Sequence, residues 1–191
     1  MFVIDVTLDP ILFEIGPFQM SWHGLIATTA ILVAVWVALV LARRSAIPES
    51  SIGRLMWWAI PGGVIGARLF NVLDHLPYYS DNPIEVLFIW QGGIAAYGAF
   101  IGGLVSAVVA ARREGLPVWQ LLDVAAPAML IGQAIGRIGC FLNGDTVGGP
   151  TAGGWGVAYW HPDALVPRSL AGIPTHPYPL YEIIWDLAML G

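Results

Sequence analysis

The main pattern in the sequence is a series of long apolar runs separated by short polar segments. A helix that crosses a bilayer needs about 20 mostly apolar residues, and four runs reach that length, at 24–42, 55–73, 86–111 and 118–142. A fifth run begins near Leu180 and reaches Gly191 without attaining a full span. The pattern predicts an all-α integral membrane protein, a polytopic transmembrane helix bundle of one domain (1–191) whose last span is incomplete.

Composition supports a membrane protein and excludes several classes. Hydrophobic residues make up 57% of the chain and charged residues only 11%, whereas soluble domains carry about 25% charged residues. No phosphate-binding loop or dinucleotide fingerprint is present. We therefore expect neither a nucleic-acid partner nor a nucleotide cofactor.

The arginines predict an orientation. Five of them lie after the first and third runs, namely Arg43, Arg44, Arg54, Arg112 and Arg113. The other connections contain several acids and only one arginine, Arg168. Because arginine-rich loops stay in the cytoplasm, the N-terminus and the long connection 139–178 are expected on the outer, periplasmic side. The acidic start of the chain predicts no cleaved signal peptide. The connection 139–178 is rich in glycine, proline and aromatic residues, which predicts a partly structured cap at the membrane face.

Glycines recur four residues apart within three of the runs, at Gly62–Gly66, Gly98–Gly102 and Gly132–Gly136. Small residues at this spacing allow two helix backbones to approach closely in lipid. A compact bundle is the expected result.

Two arginines lie within apolar runs, where a charge is costly and usually functional. Arg68 and Arg137 are both placed near the outer ends of their spans. Guanidinium groups grip phosphate in a bidentate fork, so the pair indicates an anionic phospholipid headgroup as ligand. Snorkelling to the interface, or pairing with an acid such as Asp145, is the alternative. It stays open for Arg68, whereas the glycine-rich polar setting of Arg137 favours function.

Three further residues are candidates. His23 opens the first run and is either a base or a water-bonded interfacial histidine. Tyr97 lies in the glycine-rich stretch 91–103 and is either functional or part of an aromatic belt. Glu182 lies in the fifth run and is a candidate partner for an arginine. The four histidines show no HxxxH spacing and the lone Cys140 no CxxC, so we expect no metal site.

Several segments together resemble bacterial prolipoprotein diacylglyceryl transferases. The matching motifs are SWHG (21–24), GARL (66–69), GGIAAYGAFIGG (92–103), GRIGCFLNGDTVG (136–148) and HPYPLYE (176–182). The GRIG…NG…G stretch is the most specific, and the resemblance covers essentially the whole chain. The family's last spans, with a further arginine and an acidic motif, are absent, which predicts that this chain alone is inactive.

The resemblance implies an enzyme of the bacterial cytoplasmic (inner) membrane that needs no cofactor. It would transfer the diacylglyceryl group of phosphatidylglycerol to the lipobox cysteine thiol of prolipoprotein signal peptides, forming a thioether and releasing glycerol 1-phosphate. Membrane lipids would surround it. The implied catalytic residues are His23, Tyr97 and Arg137, and those implied to bind phosphatidylglycerol are Arg68, Arg137, Asn143, Asp145 and Gly148.

The chain also departs from the family pattern. The family often has tyrosine in place of His23 and histidine in place of Tyr97, so the two residue types look exchanged. Cys140 stands where asparagine is usual, and Asp145 where glutamate is usual. The exchange leaves open whether His23 or Tyr97 activates the substrate thiol.

Two other functions remain to be weighed. Intramembrane arginine, glycine-broken helices and a glutamate are also typical of a membrane transporter or channel for an anionic solute or lipid. The sequence shows no internal repeat, and its polar groups are placed toward the outer ends rather than at the midplane. A non-catalytic membrane chaperone for lipoproteins or lipids is the second alternative, and it would tolerate loss of Arg137.

Overall fold

A computed structural model describes residues 2–16, 18–45, 47–89, 93 and 95–190. The chain divides into two compact units. The central unit is Leu39–Val124, and the terminal unit combines Met1–Ala38 with Ala125–Gly191.

The described chain is mostly helical. Its helices are α1 (Trp22–Arg44), α2 (Glu49–Asp74), α3 (Leu76–Asp81), α4 (Ala96–Arg113), α5 (Val118–Asn143) and α6 (Tyr178–Ala188). Short 3₁₀ helices occupy Pro83–Leu87 and Arg168–Leu170. Of the described helices, α1 and α5 are long and apolar enough to cross a membrane. Much of the apolar surface of α1 is exposed, as expected for a helix that faces lipid.

The third predicted span differs from the observed helix. The apolar run starts at residue 86, but α4 begins only at Ala96, ten residues later. Pro83 begins a 3₁₀ helix that ends at Leu87, and Gly93 has a φ of +72°. A positive φ does not belong to a right-handed helix. Gly93 is therefore not part of a right-handed helix, although the apolar character of residues 86–111 predicted a continuous one.

The chain is mostly helical as predicted, but it is not all-α, because the described residues include four short strands. Strands β1 (Phe2–Val6) and β4 (Trp155–Tyr159) pair in parallel, with Val3 opposite Gly156 and Val6 opposite Tyr159. Strands β2 (Ile11–Ile15) and β3 (Phe18–Ser21) form an antiparallel pair. Both pairs belong to the terminal unit.

The β1–β4 pair has a small core of its own. Val6, Val157, Tyr159 and Val166 are buried together. Thr175 continues the pairing, since its N–H donates to the Val157 carbonyl and its carbonyl accepts from the Val157 N–H. The segment between α5 and α6 is thus a packed cap over the C-terminal end of α5.

In the central unit, α2 packs against α4 through glycines. A Cβ atom added to Gly66 would lie 2.3 Å from the Gly98 carbonyl oxygen and 2.8 Å from the Gly102 Cα. Only glycine permits this approach of two backbones. The predicted close contact is therefore present for Gly62–Gly66 and Gly98–Gly102. In the third pair, Gly132 contacts Ala34 whereas a Cβ on Gly136 meets nothing within 4 Å.

Candidate active site

The polar cluster of the terminal unit starts at the beginning of α1. Ser21 precedes the helix, and its Oγ accepts a hydrogen bond from the Gly24 N–H at 3.0 Å. This is the usual way in which serine stabilises a helix N-terminus. The cap fixes where α1 begins and so holds His23 in its first turn. The order of residues 21–24 therefore places a capping serine two residues before His23.

Gly139 of α5 allows His23 to approach closely. A Cβ on Gly139 would lie 3.1 Å from the His23 Cα, tighter than ordinary van der Waals contact. A larger residue would push the start of α1 away from α5. Glycine at 139 thus brings the His23 side chain to the C-terminal end of α5.

His23 forms a close pair with Asp145. Its Nδ1 lies 2.9 Å from the Asp145 Oδ2. The two groups form an ion pair when the imidazole is protonated. The other carboxylate oxygen of Asp145 accepts a bond from the Thr146 hydroxyl at 3.2 Å. The carboxylate is therefore oriented from one side and faces the imidazole with the other.

Asp145 reaches this position because α5 ends just before it. Gly144 has a φ of +73°, and its N–H donates to the Cys140 carbonyl at 2.9 Å. Such a left-handed glycine is a common helix terminator. A Cβ at this position would lie 2.9 Å from the Tyr159 ring. The turn thus returns Asp145 toward α1 and packs the cap against the helix end.

Cys140 lies in the same cluster. Its Sγ, the His23 imidazole and the Asp145 carboxylate are all within 4.8 Å of one another. The side chain is buried, with 8% exposed, and its Sγ accepts a long bond from the Arg137 guanidinium at 3.8 Å. This convergence could not be predicted, because residues 23 and 140 lie on different helices.

Arg137 forms an ion pair with Glu182, between Nε of the guanidinium and a carboxylate oxygen. The pair joins α5 to α6. One turn earlier on α5, the Gln133 amide donates to the Asp186 Oδ1 at 3.4 Å. Residues four apart lie on one face of each helix, so the two contacts form successive rungs between α5 and α6.

Asp186 is only 2% exposed and was not among the residues predicted from the sequence. Its Oδ2 has no hydrogen-bond partner among the described atoms. Its position four residues after Glu182 was the signal that could have identified it.

Asn143 and Gly148 support the cap. Asn143 is 2% exposed, and its backbone carbonyl accepts the Leu165 N–H at 2.9 Å. Its side-chain oxygen lacks a partner among the described atoms. A Cβ on Gly148 would lie 2.7 Å from the His176 Cβ, and the Gly148 N–H donates to the His176 carbonyl. Both residues therefore hold the cap close to the start of α6.

Tyr159 joins the cap to α5 and was likewise not among the residues predicted from the sequence. Its hydroxyl donates to the Phe141 carbonyl at 2.8 Å, and the residue is 1% exposed. Burial raises the pKa of the Tyr159 phenol well above its ordinary value, and the nearby Asp145 carboxylate adds to the shift. The phenol therefore stays a neutral donor across the physiological range.

Arg68 belongs to the central unit and is directed toward the protein. Its Nε donates to the Val86 carbonyl at 2.9 Å and NH1 to the Gly93 carbonyl at 2.9 Å, while NH2 donates to the Glu85 carbonyl. The guanidinium carbon also lies 5.1 Å from the centre of the Tyr79 ring. These contacts fasten the segment before α4 to α2. A structural role for Arg68 is what they support most directly.

A polar cavity of about 360 Å³ adjoins Arg68 and is lined in part by Asn71 and Tyr78. The Tyr78 hydroxyl donates to the Glu85 carboxylate, and this bond raises the pKa of Tyr78 above its ordinary value. Tyr97 lies in the first turn of α4 and is 81% exposed. Several residues of the glycine-rich stretch around it (91, 92 and 94) lie outside the described residues.

Comparison with known proteins identifies the family to which the chain belongs. A sequence model of the prolipoprotein diacylglyceryl transferase family matches residues 10–191. A protein of Trichormus variabilis named phosphatidylglycerol–prolipoprotein diacylglyceryl transferase is 40% identical over 183 residues. That match covers 95% of this chain and 64% of the relative.

Two further relatives carry the same name. The protein of Synechococcus elongatus is 39% identical over 94% of this chain and 62% of its own length. The protein of Bacillus cereus is 36% identical over 95% of this chain and 67% of its own length. The chain thus spans less than two thirds of the length of the relatives from Trichormus variabilis and Synechococcus elongatus. With the match of the family model from residue 10 onward, it belongs to the prolipoprotein diacylglyceryl transferase family.

Proposed function

We propose that the protein transfers the diacylglyceryl group of phosphatidylglycerol to the lipobox cysteine thiol of prolipoprotein signal peptides. The product is a thioether, and glycerol 1-phosphate leaves. Membership of the family supports the reaction, because the relatives' names give both substrates. The observation that carries it to this chain is the cluster in which Arg137 lies beside His23, Cys140 and Asp145.

Arg137 binds the headgroup phosphate in this scheme. The guanidinium keeps its charge at any physiological pH and has donors beyond the one that faces Glu182. When the bond between the glycerol carbon and the phosphate oxygen breaks, negative charge grows on the leaving phosphate. A fixed cation there stabilises the transition state more than the bound substrate. Asn143, Asp145 and Gly148 shape the surrounding wall.

His23 accepts the proton of the incoming thiol. A thiolate is the nucleophile, and a neutral thiol near lipid is a poor one. Asp145 lies 2.9 Å from the imidazole and stabilises the imidazolium that forms. Tyr97 is the alternative base. The carboxylate beside His23 favours the histidine as the base. The 81% exposure of Tyr97 argues against the tyrosine. Arg68 remains a candidate for a second headgroup contact. Its hydrogen bonds to backbone carbonyls give it a structural role as well, since they hold the segment before α4.

In this proposal the protein is a multi-pass bundle of the bacterial cytoplasmic membrane, with its N-terminus and cap on the outer side. Two described helices long enough to span a bilayer support this arrangement. So does the concentration of arginines after the first and third apolar runs. The transporter alternative is not favoured, because the family match extends across the chain and the named relatives are transferases.

The test follows label from phosphatidylglycerol to a lipobox peptide, using the full-length protein in vesicles. Arg137→Ala is expected to lower kcat by at least a hundredfold, as loss of a charge-stabilising donor does. Arg137→Lys retains the charge without the bidentate guanidinium geometry, so its kcat should lie between those of the wild type and Arg137→Ala. Arg168→Ala removes an exposed arginine outside the cluster and is the matched control. Full activity of Arg137→Ala, or no transfer by the folded wild type, would overturn the proposal.

A further inference from the structure

A groove runs along the contact between α2 and α4 in the central unit. Its volume is about 490 Å³, and large apolar side chains of both helices line it, among them Trp58, Ile65 and Val105. Arg113 and Glu114 lie at one end. We propose that the groove binds one acyl chain of an anionic phospholipid, with the headgroup phosphate on Arg113. Such a lipid is bound rather than consumed, and its binding requires only the membrane placement proposed above.

Glycines leave the floor of the groove without side chains. A Cβ on Gly66 would lie 2.8 Å from the Gly102 Cα, so the two backbones touch where these residues meet. Ile65 and Val105 flank them and are 67% and 56% exposed. The hydroxyl of Ser106, which also lines the groove, already donates to a backbone carbonyl of α2 at 3.0 Å. The groove therefore offers a hydrocarbon chain an apolar track with few polar groups to cover.

The length of the groove matches one leaflet of a bilayer. It extends from Trp58 to Leu69 on α2 and from Gly102 to Arg113 on α4. At the helical rise of about 1.5 Å per residue this is about 16 Å on each helix. One leaflet contributes about 15 Å to a hydrocarbon core of about 30 Å. An acyl chain with its headgroup at Arg113 therefore ends near the midplane, and in the proposed orientation its leaflet is the cytoplasmic one.

Arg113 supplies a positive charge at the open end of the groove. Its neighbour Glu114 is already engaged, because the Arg54 Nε donates to the Glu114 carboxylate at 2.8 Å. Within the described part of the chain, no acid pairs with Arg113. A guanidinium binds phosphate through two parallel hydrogen bonds. Basic pockets between helices on the cytoplasmic side are typical sites for anionic headgroups, so an anionic lipid complements this end of the groove.

The headgroup, rather than the chain, selects the lipid. An acyl chain that enters the groove comes from a lipid phase that is equally apolar, so it gains packing but no hydrophobic free energy. One arginine at the membrane surface favours an anionic lipid by roughly fivefold. A zwitterionic lipid carries a cation that offsets the same attraction. We therefore expect the groove to discriminate by charge at Arg113.

Trp58 can report on the occupant, because it lines the groove. The full-length protein is reconstituted in bilayers that contain phosphatidylserine or phosphatidylcholine with brominated acyl chains. Bromine quenches the fluorescence of a tryptophan that it contacts, and the difference from Trp58→Phe isolates the emission of Trp58. Phosphatidylserine should reach half-maximal quenching at roughly one fifth of the mole fraction that phosphatidylcholine requires.

Two neighbouring arginines provide the variant and its control. Arg113→Gln should abolish the preference for phosphatidylserine, and Arg113→Glu should reverse it. Arg112 is also exposed but does not line the groove, so Arg112→Gln should keep the preference. Each variant is measured with and without Trp58.

Equal quenching by the two lipids in the wild type would overturn the site. An equal loss of preference in Arg112→Gln and Arg113→Gln would also overturn it, since it would indicate only the general charge of that face. If another segment of the chain or a second copy covers the groove, neither lipid quenches Trp58, and the proposal is refuted. Phosphatidylserine is not the proposed substrate, so each of these results leaves the transfer reaction to its own assay.

Discussion

The guanidinium of Arg137 on α5 and the carboxylate of Glu182 on α6 form an ion pair. Arg137 also donates to Cys140 on its other side. The arginine is therefore held between a carboxylate and the cluster that contains His23. A long flexible cation needs such a restraint to face a substrate phosphate in one orientation.

Glu182→Gln tests this restraint. The amide keeps the size of the side chain but removes its charge, so Arg137 loses its fixed orientation. We expect kcat for label transfer to fall at least tenfold. The unfolding free energy should fall by only about 1 kcal/mol, because both side chains are partly exposed, at 29% and 34%. Asp81→Asn, an exposed acid, is the control. A loss of stability without a loss of rate would assign Glu182 a purely structural role.

Tyr159 makes the cap sensitive to alkali. Its pKa is raised in the folded protein, whereas the unfolded phenol titrates near pH 10. Below that value both states are protonated, so the contribution of Tyr159 to stability is intact. It is lost as pH rises above about 10 toward the folded pKa, because the unfolded chain then releases the proton first.

Tyr159→Phe should remove this alkaline dependence. At neutral pH it should also cost about 1–3 kcal/mol, since the Phe141 carbonyl loses its donor. Unfolding followed by near-ultraviolet circular dichroism between pH 8 and 11 measures both effects. Tyr178→Phe, at an exposed tyrosine, should leave the pH profile unchanged. An identical profile for Tyr159→Phe and wild type would contradict the prediction.

Gly148 and Gly149 form a matched pair for the cap. A Cβ on Gly148 would meet the His176 Cβ at 2.7 Å, whereas a Cβ on Gly149 meets nothing within 4 Å. Gly148→Ala should displace the segment before α6 and with it Glu182, lowering transfer at least tenfold. Gly149→Ala should remain within about twofold of wild type. Equal activity of the two variants would show that this contact does not position α6.

A second matched pair tests the packing of α2 against α4. Gly66→Ala places a methyl group 2.3 Å from the Gly98 carbonyl oxygen, and such overpacking costs about 1–3 kcal/mol. Gly53 lies on the same helix with open space around it, so Gly53→Ala should stabilise by up to about 1 kcal/mol through helix propensity. Thermal unfolding in detergent distinguishes the two. A stable Gly66→Ala protein would mean that α2 and α4 separate readily.

Much of the helical pattern was predictable, because apolar runs and glycine spacing are local properties. The runs at 24–42 and 118–142 correspond to α1 and α5, and Gly66 and Gly98 do contact each other. The late start of α4 was not predictable from hydropathy. It depends on the backbone conformation at Gly93, which apolar character does not encode.

The sequence indicated candidate site residues one by one but not their arrangement. His23, Arg137, Asp145 and Glu182 were each singled out from their sequence setting. That His23 lies against Asp145, with Cys140 beside them, depends on α1 packing on the glycine face of α5. Asp186 and Tyr159 were missed because their roles appear only when α6 and the cap are in place.

The pairing of β1 with β4 has a consequence for biosynthesis. Phe2 lies opposite Trp155, so a ribosome that adds roughly 5–20 residues per second makes the second strand some 8–30 seconds after the first. Throughout that interval the edge of β1 has no partner in β4, and such an edge readily recruits other chains. The helices between the two strands are therefore synthesised before β1 can pair with β4, and β1 reaches its final place only after them.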